Sequence, residues 1–305
     1  MREIISVGEC MIELARRADG AFDLRVGGDT FNTAIYLARL GAPVTYMTAV
    51  GDDPYSARII ATARGENVND EMILTIAGRM PGLYLIETSA GERSFWYWRD
   101  QAPARELFEL ASAGQLVARL KEAGTIYISG VTLSLYSARG LDVLHEALAE
   151  ARHNGAKVVI DSNYRPVGWR HDAGRARETY ARFWPQADIA LPSFEDEQAL
   201  WDDAGPEDTF ARMARFGVAE TCLKMAERGA VVELDGSLVP ITPATAISLV
   251  DTTAAGDSFS AAYLWARLNG RSAAAAAAHG NRLAGIVIQH PGAIAPKSAT
   301  ARFGQ

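Results

Sequence analysis

The chain has 305 residues, with 37 acidic against 30 basic side chains and a net charge of −7. Hydrophobic residues make up 49% and charged residues 22%, so a sizeable core is buried, and at about 150 residues per domain the length fits two domains or one large α/β unit with an insertion. The acidic balance argues against a nucleic-acid binder and a polybasic membrane-surface protein. No apolar run reaches the ~18 residues that span a bilayer.

Ile4-Ile5-Ser6-Val7-Gly8 is a short apolar run stopped by glycine and predicts a buried strand, continued by Met11 to Leu14 and closed by a polar turn over 16–20. Residues 30–40 have helical spacing, with Phe31, Ala34, Ile35 and Ala38 on one face and Gly41 as the stop. A strand over 44–50 and a helix over 56–64 follow, the alternation of a mostly parallel, doubly wound sheet. Then the pattern changes. Residues 83–87 and 94–99 are two strand-like runs around a polar turn at 89–92, an antiparallel hairpin inside an α/β chain. Its aromatic density is far above the chain's 9%, so it covers either a core or a ligand. From Leu116 the alternation resumes, with strands over 125–129, 157–161, 189–191, 221–224 and 230–234. Helices are expected over 137–154, 173–184, 195–204 and 209–216, and two long ones over 257–268 and 272–289 close the chain. No Pro/Ser-rich linker divides it, so the hairpin reads as a lid grown from one large domain.

Cys10 and Cys222 make neither a disulfide framework nor a zinc site, and the N-terminus lacks a basic region followed by an apolar stretch. A reduced, cytoplasmic protein is expected.

Three polar clusters at strand ends carry chemistry. In Gly27-Gly28-Asp29-Thr30-Phe31-Asn32, two glycines before a helix let backbone N–H groups approach a ligand, although a Gly-Gly turn is also ordinary punctuation. Asp161-Ser162-Asn163-Tyr164-Arg165-Pro166 ends a strand, where open α/β sheets bind ligands; a capped strand end with a surface ion pair is the plainer reading. The third, Asp251-Thr252-Thr253-Ala254-Ala255-Gly256-Asp257-Ser258-Phe259, leads small residues straight into a helix, an anion hole with a carboxylate in its first turn. An anion beside Asp257 disfavours its ionised form and moves it toward the range of a general base. A P-loop, protein-kinase signatures and a Gly-x-Gly-x-x-Gly after the first strand are all absent.

The run at 251–259, paired with Gly-Gly-x-x-x-Asn-x-Ala at 27–34 and Leu37-Ala38-Arg39-Leu40-Gly41, resembles the two signatures of the ribokinase-like (PfkB) sugar kinases over essentially the whole chain. Gly8 to Leu14, Pro81-Gly82-Leu83-Tyr84, Tyr97-Trp98-Arg99 and Asn163-Tyr164-Arg165-Pro166 are similar to the branch that phosphorylates 2-keto-3-deoxygluconate. The resemblance implies a single ribokinase-like α/β domain over 1–305, with a small β lid from about 9–27 and 81–102. It implies transfer of the γ-phosphoryl group of ATP, with Mg²⁺, to a sugar hydroxyl. Asp257 matches the catalytic base and the backbone of Ala254, Ala255 and Gly256 the anion hole. Gly28, Asn32, Tyr84, Tyr97, Arg99 and Arg165 match substrate-binding positions, and a carboxylate on the sugar suits arginine's bidentate fork. Lys224, Gly229, Thr252, Gly256 and Asn281 match nucleotide-binding positions. Glu197 matches the glutamate of an Asn-x-x-Glu motif tied to Mg²⁺, with Phe194 in place of the asparagine. Asp251 and the loop around Gly292 match a site for a monovalent cation such as K⁺. Two further departures are Ala254 and Ala226, where the family often has glycine. The alternatives are a kinase for a neutral sugar such as fructose or ribose, and a sugar-binding relative without turnover. The apolar hairpin faces permit a homo-oligomer.

Overall fold

The computed structural model describes residues 1–17, 19–89, 92–243, 248–301 and 303, with backbone only at 88–89 and 92–95. In chain order its strands are β1 (Ile4–Val7), β2 (Met11–Arg16), β3 (Phe22–Gly27), β4 (Val44–Gly51), β5 (Ile73–Ile76), β6 (Gly82–Ser89) and β7 (Glu92–Trp98). They continue with β8 (Thr125–Ser129), β9 (Lys157–Asp161), β10 (Ile189–Ala190), β11 (Glu220–Lys224), β12 (Ala230–Leu234) and β13 (Ser237–Ile241). Nine form one sheet in the order β13-β12-β11-β10-β9-β8-β1-β4-β5, parallel from β11 to β5 and antiparallel at the β12 and β13 end. The central strands β1, β4, β8 and β9 are buried almost throughout, as continuous apolar strands covered by helices on both faces must be. Phe31, Ala34 and Ile35 of the Asp29–Arg39 helix and Phe259 to Leu264 of the Ala255–Leu268 helix fill one face. Leu116, Leu144, Leu148, Tyr180 and Trp184 fill the other.

The remaining four strands make a second sheet, β3-β2-β6-β7. Met11 to Leu14 therefore does not continue β1, as the apolar run suggests. The chain leaves the large sheet at Gly8-Glu9-Cys10 and enters the small one, pairing with β3 and β6. The predicted hairpin is present as β6 and β7, with Leu83 opposite Trp98; part of its turn, 90–91, lies outside the described residues. On β7, Tyr97 faces inward while Trp96 and Trp98 stand 55% and 60% exposed, the alternation a strand requires. Strand β3 escapes a search for apolar runs, yet Phe22-Asp23-Leu24-Arg25-Val26 alternates apolar and polar residues, the mark of a half-buried strand. Strand β13 carries Pro240 at the sheet edge, where a missing N–H is tolerated. Among the described residues no helix is long and apolar enough to cross a membrane.

Candidate active site

Parallel strands deliver their C-terminal ends to one edge of the large sheet, and the small sheet stands over that edge. Between them lies a cleft of about 680 Å³, lined by Asp161 from the end of β9, Ser193 after β10, Lys224 from the end of β11, and Tyr84 and Tyr97 from the small sheet. Gly28 joins the two sheets at this point. A Cβ there would sit 2.3 Å from the Glu9 carbonyl oxygen, so the two connections approach this closely only with glycine.

The cleft floor is the N-terminus of the Ala255–Leu268 helix. Asp251 shapes the turn before it, its two carboxylate oxygens accepting the N–H groups of Thr253 and Gly292, each at 2.8 Å. Ala254 caps the helix in the left-handed region, φ 59° and ψ 16°, which aims the following amides into the cleft. The Ala255 N–H donates to the Thr252 carbonyl at 3.2 Å, whereas those of Ala254, Gly256 and Asp257 have no acceptor among the described residues. The departure from the family's frequent glycine at 254 thus falls where glycine is sterically favoured.

Asp257 stands in the first turn, lining the cleft, and Asn32 Nδ2 donates to its Oδ2 at 2.8 Å. Its surroundings disfavour charge. Burial first, then the carboxylates of Asp29 and Asp161, push its pKa up to about 8 against the opposing pull of Asn32 and Lys224. Asp29 is itself raised by burial and by Asp161 and is held by Asn163, whose Nδ2 donates at 2.6 Å. Asp161 is better compensated: its Oδ2 accepts Lys224 Nζ at 2.6 Å, Ser260 Oγ at 2.8 Å and Tyr127 OH at 3.2 Å. A carboxylate kept protonated near neutrality by its neighbours, at hydrogen-bond range of an open cavity, is equipped to exchange a proton with a ligand.

The opposite end is cationic and aromatic. Arg165 Nη1 donates to Asp196 Oδ1 at 3.0 Å and to the Tyr164 carbonyl at 2.7 Å. Burial opposes its charge, but Asp196, Asp257, Asp29 and Asp161 outweigh that and raise its pKa. Arg99 pairs with the buried Glu9 and lies 5.9 Å from the centroid of the Tyr97 ring. Tyr84 and Tyr97 pack with centroids 6.0 Å apart, and the Tyr84 hydroxyl donates to Glu13.

The structure thus brings together Gly28, Asn32, Tyr84, Tyr97, Arg99, Arg165, Lys224, Thr252, Ala254, Ala255, Gly256 and Asp257 around one cavity. It does not bring in Glu197. That carboxylate is 1% exposed and turned away, accepting from Arg212 Nη2 at 2.7 Å within a triad completed by Asp203. Asp196, one residue earlier and about 100° round the helix, is the one turned to the cleft side, meeting Arg165, the Tyr164 N–H and Ser162. Gly229 and Asn281 do not line the cavity either. A Cβ at Gly229 (φ 88°) would sit 2.2 Å from the Ile241 carbonyl oxygen, and Asn281 Nδ2 donates to the carbonyls of Ile241 and Thr242 at 3.0 and 2.9 Å. Both brace the chain leaving β13. Residue-by-residue reading missed Glu9, Asp29, Asp161 and Arg105; the strand-end clusters at 27–32 and 161–166 were the available signal for Asp29 and Asp161.

This architecture, a doubly wound sheet with a small second sheet over a helix N-terminus that carries a carboxylate, is the ribokinase-like fold. The chain belongs to the pfkB family of carbohydrate kinases, whose pattern it matches over residues 1–300. It is 40% identical over 307 residues to the 2-dehydro-3-deoxygluconokinase of Escherichia coli K12, covering 98% of both chains. It is 37% identical to the enzyme of the same name from Haemophilus influenzae, covering 98% of this chain and 97% of that one. Among solved structures, an E. coli protein provisionally named ribokinase II, in complex with ATP and Mg²⁺, superposes with a TM-score of 0.82. It is 21% identical, over 99% of this chain and 97% of that one.

Proposed function

We propose that this chain phosphorylates 2-dehydro-3-deoxygluconate (the 2-keto-3-deoxy acid) at its terminal hydroxyl, with ATP·Mg²⁺ as donor. The observation that carries this reading is the polarity of the cleft: a protonatable carboxylate at a helix N-terminus on one side, arginines and tyrosines on the other. The names of the relatives at 37–40% identity support the substrate, and the ATP·Mg²⁺ complex of a similar fold supports the donor.

In this reading the sugar spans the cleft, its carboxylate toward Arg165, Arg99, Tyr84 and Tyr97, its far hydroxyl at Asp257. Gly28 and Asn32 contact the sugar between them. Ionised Asp257 accepts the hydroxyl proton as the oxygen bonds to the γ-phosphorus; the bond to the bridging oxygen breaks and ADP leaves. The amides of Ala254, Gly256 and Asp257 and the positive helix end stabilise the charge on the transferring group, the term that dominates phosphoryl transfer. Among the described residues no cluster of three or more His, Cys, Asp or Glu side chains is poised to hold a metal. In this reading a divalent ion would come with the nucleotide, since Mg²⁺ favours phosphate oxygens and water, and would neutralise charge on the transferring group. Lys224 and Thr252 line the nucleotide side, and Gly229 and Asn281 act there by bracing the segment after β13. K⁺ would add at the loops that Asp251 joins, and comparing rates in K⁺ and in a bulky organic cation tests it.

Coupled ADP release with 2-keto-3-deoxygluconate, 2-keto-3-deoxygalactonate, gluconate, fructose and ribose tests the whole reading. Turnover confined to the 2-keto-3-deoxy acids is expected. Preference for fructose or ribose would overturn the substrate and leave the kinase, and no ADP release with any of them would overturn catalysis itself.

A further inference from the structure

Five cationic side chains line the cleft, and their charges are not equally compensated. Arg99 lies against Glu9, Arg165 against Asp196 at 3.0 Å and Lys224 against Asp161 at 2.6 Å. Glu9 is 2% exposed and its Oε2 pairs with Arg99 Nη2, which offsets part of that arginine's charge toward a ligand. Arg105 and Arg170 are different: the side chain of neither makes an ion pair or hydrogen bond with any described residue. Arg170 is solvent-exposed, where water screens a charge. Arg105 is half-buried on the Pro103–Glu109 turn, which is pinned beneath it by the buried Ala104, Leu107 and Phe108. Burial and the nearby Arg99 and Arg170 work against its charge, with Glu9 and Asp100 offsetting only part. A partly desolvated guanidinium on a pinned turn, facing a cavity with no protein carboxylate in contact with it, is a receptor for an anion.

We propose that Arg105 is a specificity-determining residue that binds the carboxylate of the substrate, supplying the charge that the Glu9–Arg99 pair withholds. This rests on the sugar-acid reading above. The shared chemistry is an anionic oxygen, which a sugar acid or a nucleotide phosphate could each offer. The location favours the acid: Arg105 follows β7 of the small sheet, with Arg99, and the helix N-terminus forms the other end of the cleft.

The test is steady-state ADP release by the full chain as Arg105→Gln, Arg105→Lys and Arg170→Gln. In Arg105→Gln the KM for 2-keto-3-deoxygluconate is expected to rise roughly 10- to 100-fold, with a smaller change in kcat and less than about a twofold change in the KM for ATP. Arg105→Lys keeps the charge and loses the fork, so it falls between wild type and Gln. Arg170→Gln shifts the same KM by about threefold or less. An unchanged KM for the acid, a rise in the KM for ATP instead, or a Lys variant as weak as Gln would overturn the assignment. Wild-type turnover of neutral sugars alone would instead sink the sugar-acid reading, so the two failures are distinguishable. Calorimetric binding of the acid and of ATP gives the same decision if the Gln variant turns over too slowly to titrate.

Discussion

The two ends of the cleft are built by opposite electrostatic rules. At the floor, Asp257, Asp29 and Asp161 crowd three carboxylates together with a single lysine among them, and the excess like charge is stored as a raised pKa. Across the cleft from the helix N-terminus, Arg99 and Arg165 are each matched to a carboxylate, and Arg105 is left over. The floor hangs on the ends of buried strands and one long helix, whereas the opposite end is assembled from three places: the small sheet with its exposed tryptophans for Arg99, the Pro103–Glu109 turn for Arg105 and the loop after β9 for Arg165. On the proposed reading, the difference gives a substrate with two unlike ends one orientation: its hydroxyl goes to the crowded carboxylates and its acid to the arginines.

Substitutions at the two ends therefore separate into kcat and KM effects. The largest is Asp257→Asn, which preserves shape and the Asn32 contact but cannot accept a proton; kcat is expected to fall by about 10²- to 10⁴-fold, with the acid's Kd within a few-fold. A fall confined to KM would break the division between the ends. Next is Arg165→Ala, which removes the guanidinium offered to the ligand and leaves Asp196 without its cation; the KM for the acid is expected to rise about 10- to 100-fold, more than kcat falls. An equal loss on fructose would show that Arg165 only supports the fold.

How much of this was legible in the sequence follows from where the partners sit along the chain. The amides of 254–256 and Asp257 are contiguous, so one local turn makes the floor and the motif displays it. The charge that tunes Asp257 comes from Asp29, on another helix, and only the fold brings the two within range. Local reading fails in the same way at Glu197. The motif spacing points there, but one residue of helix rotation puts Asp196 at the cleft side and Glu197 into a buried pair with Arg212. Met11 to Leu14 looked like more of β1 because an apolar run does not announce a change of sheet; the glycine and the buried Glu9 at the junction mark it only in three dimensions.

The tuning at the floor is open to a pH experiment. Asp257 must be ionised to accept a proton, so kcat/KM, which reports the free enzyme, rises with pH through a limb near 8. Asp29→Asn removes the strongest like charge and moves that limb down by about one unit, a gain of roughly 10-fold in kcat/KM below it. The sign for stability is the reverse of a salt-bridged carboxylate. With a folded pKa above the unfolded 3.8, the group binds more protons in the native state, so its contribution falls as pH rises between about 4 and 8. Asp29→Asn is accordingly more stable than the wild type at pH 8 in urea. A limb that stays in place would mean that burial and Asp161, without Asp29, set the Asp257 pKa.

The smallest effect concerns the turn that carries the floor. Ala254 holds φ 59°, where a Cβ crowds the following carbonyl at a cost of about 1–2 kcal/mol. Ala254→Gly relieves that crowding but frees the unfolded chain by about 0.5–1 kcal/mol, so a net gain of up to about 1.5 kcal/mol remains. It is read as a higher urea midpoint at an unchanged slope. Destabilisation by the substitution would mean that the alanine methyl makes packing contacts worth more than the strain. In that case the floor is held by side-chain packing, as the small sheet is, and the contrast between the two ends rests on charge alone.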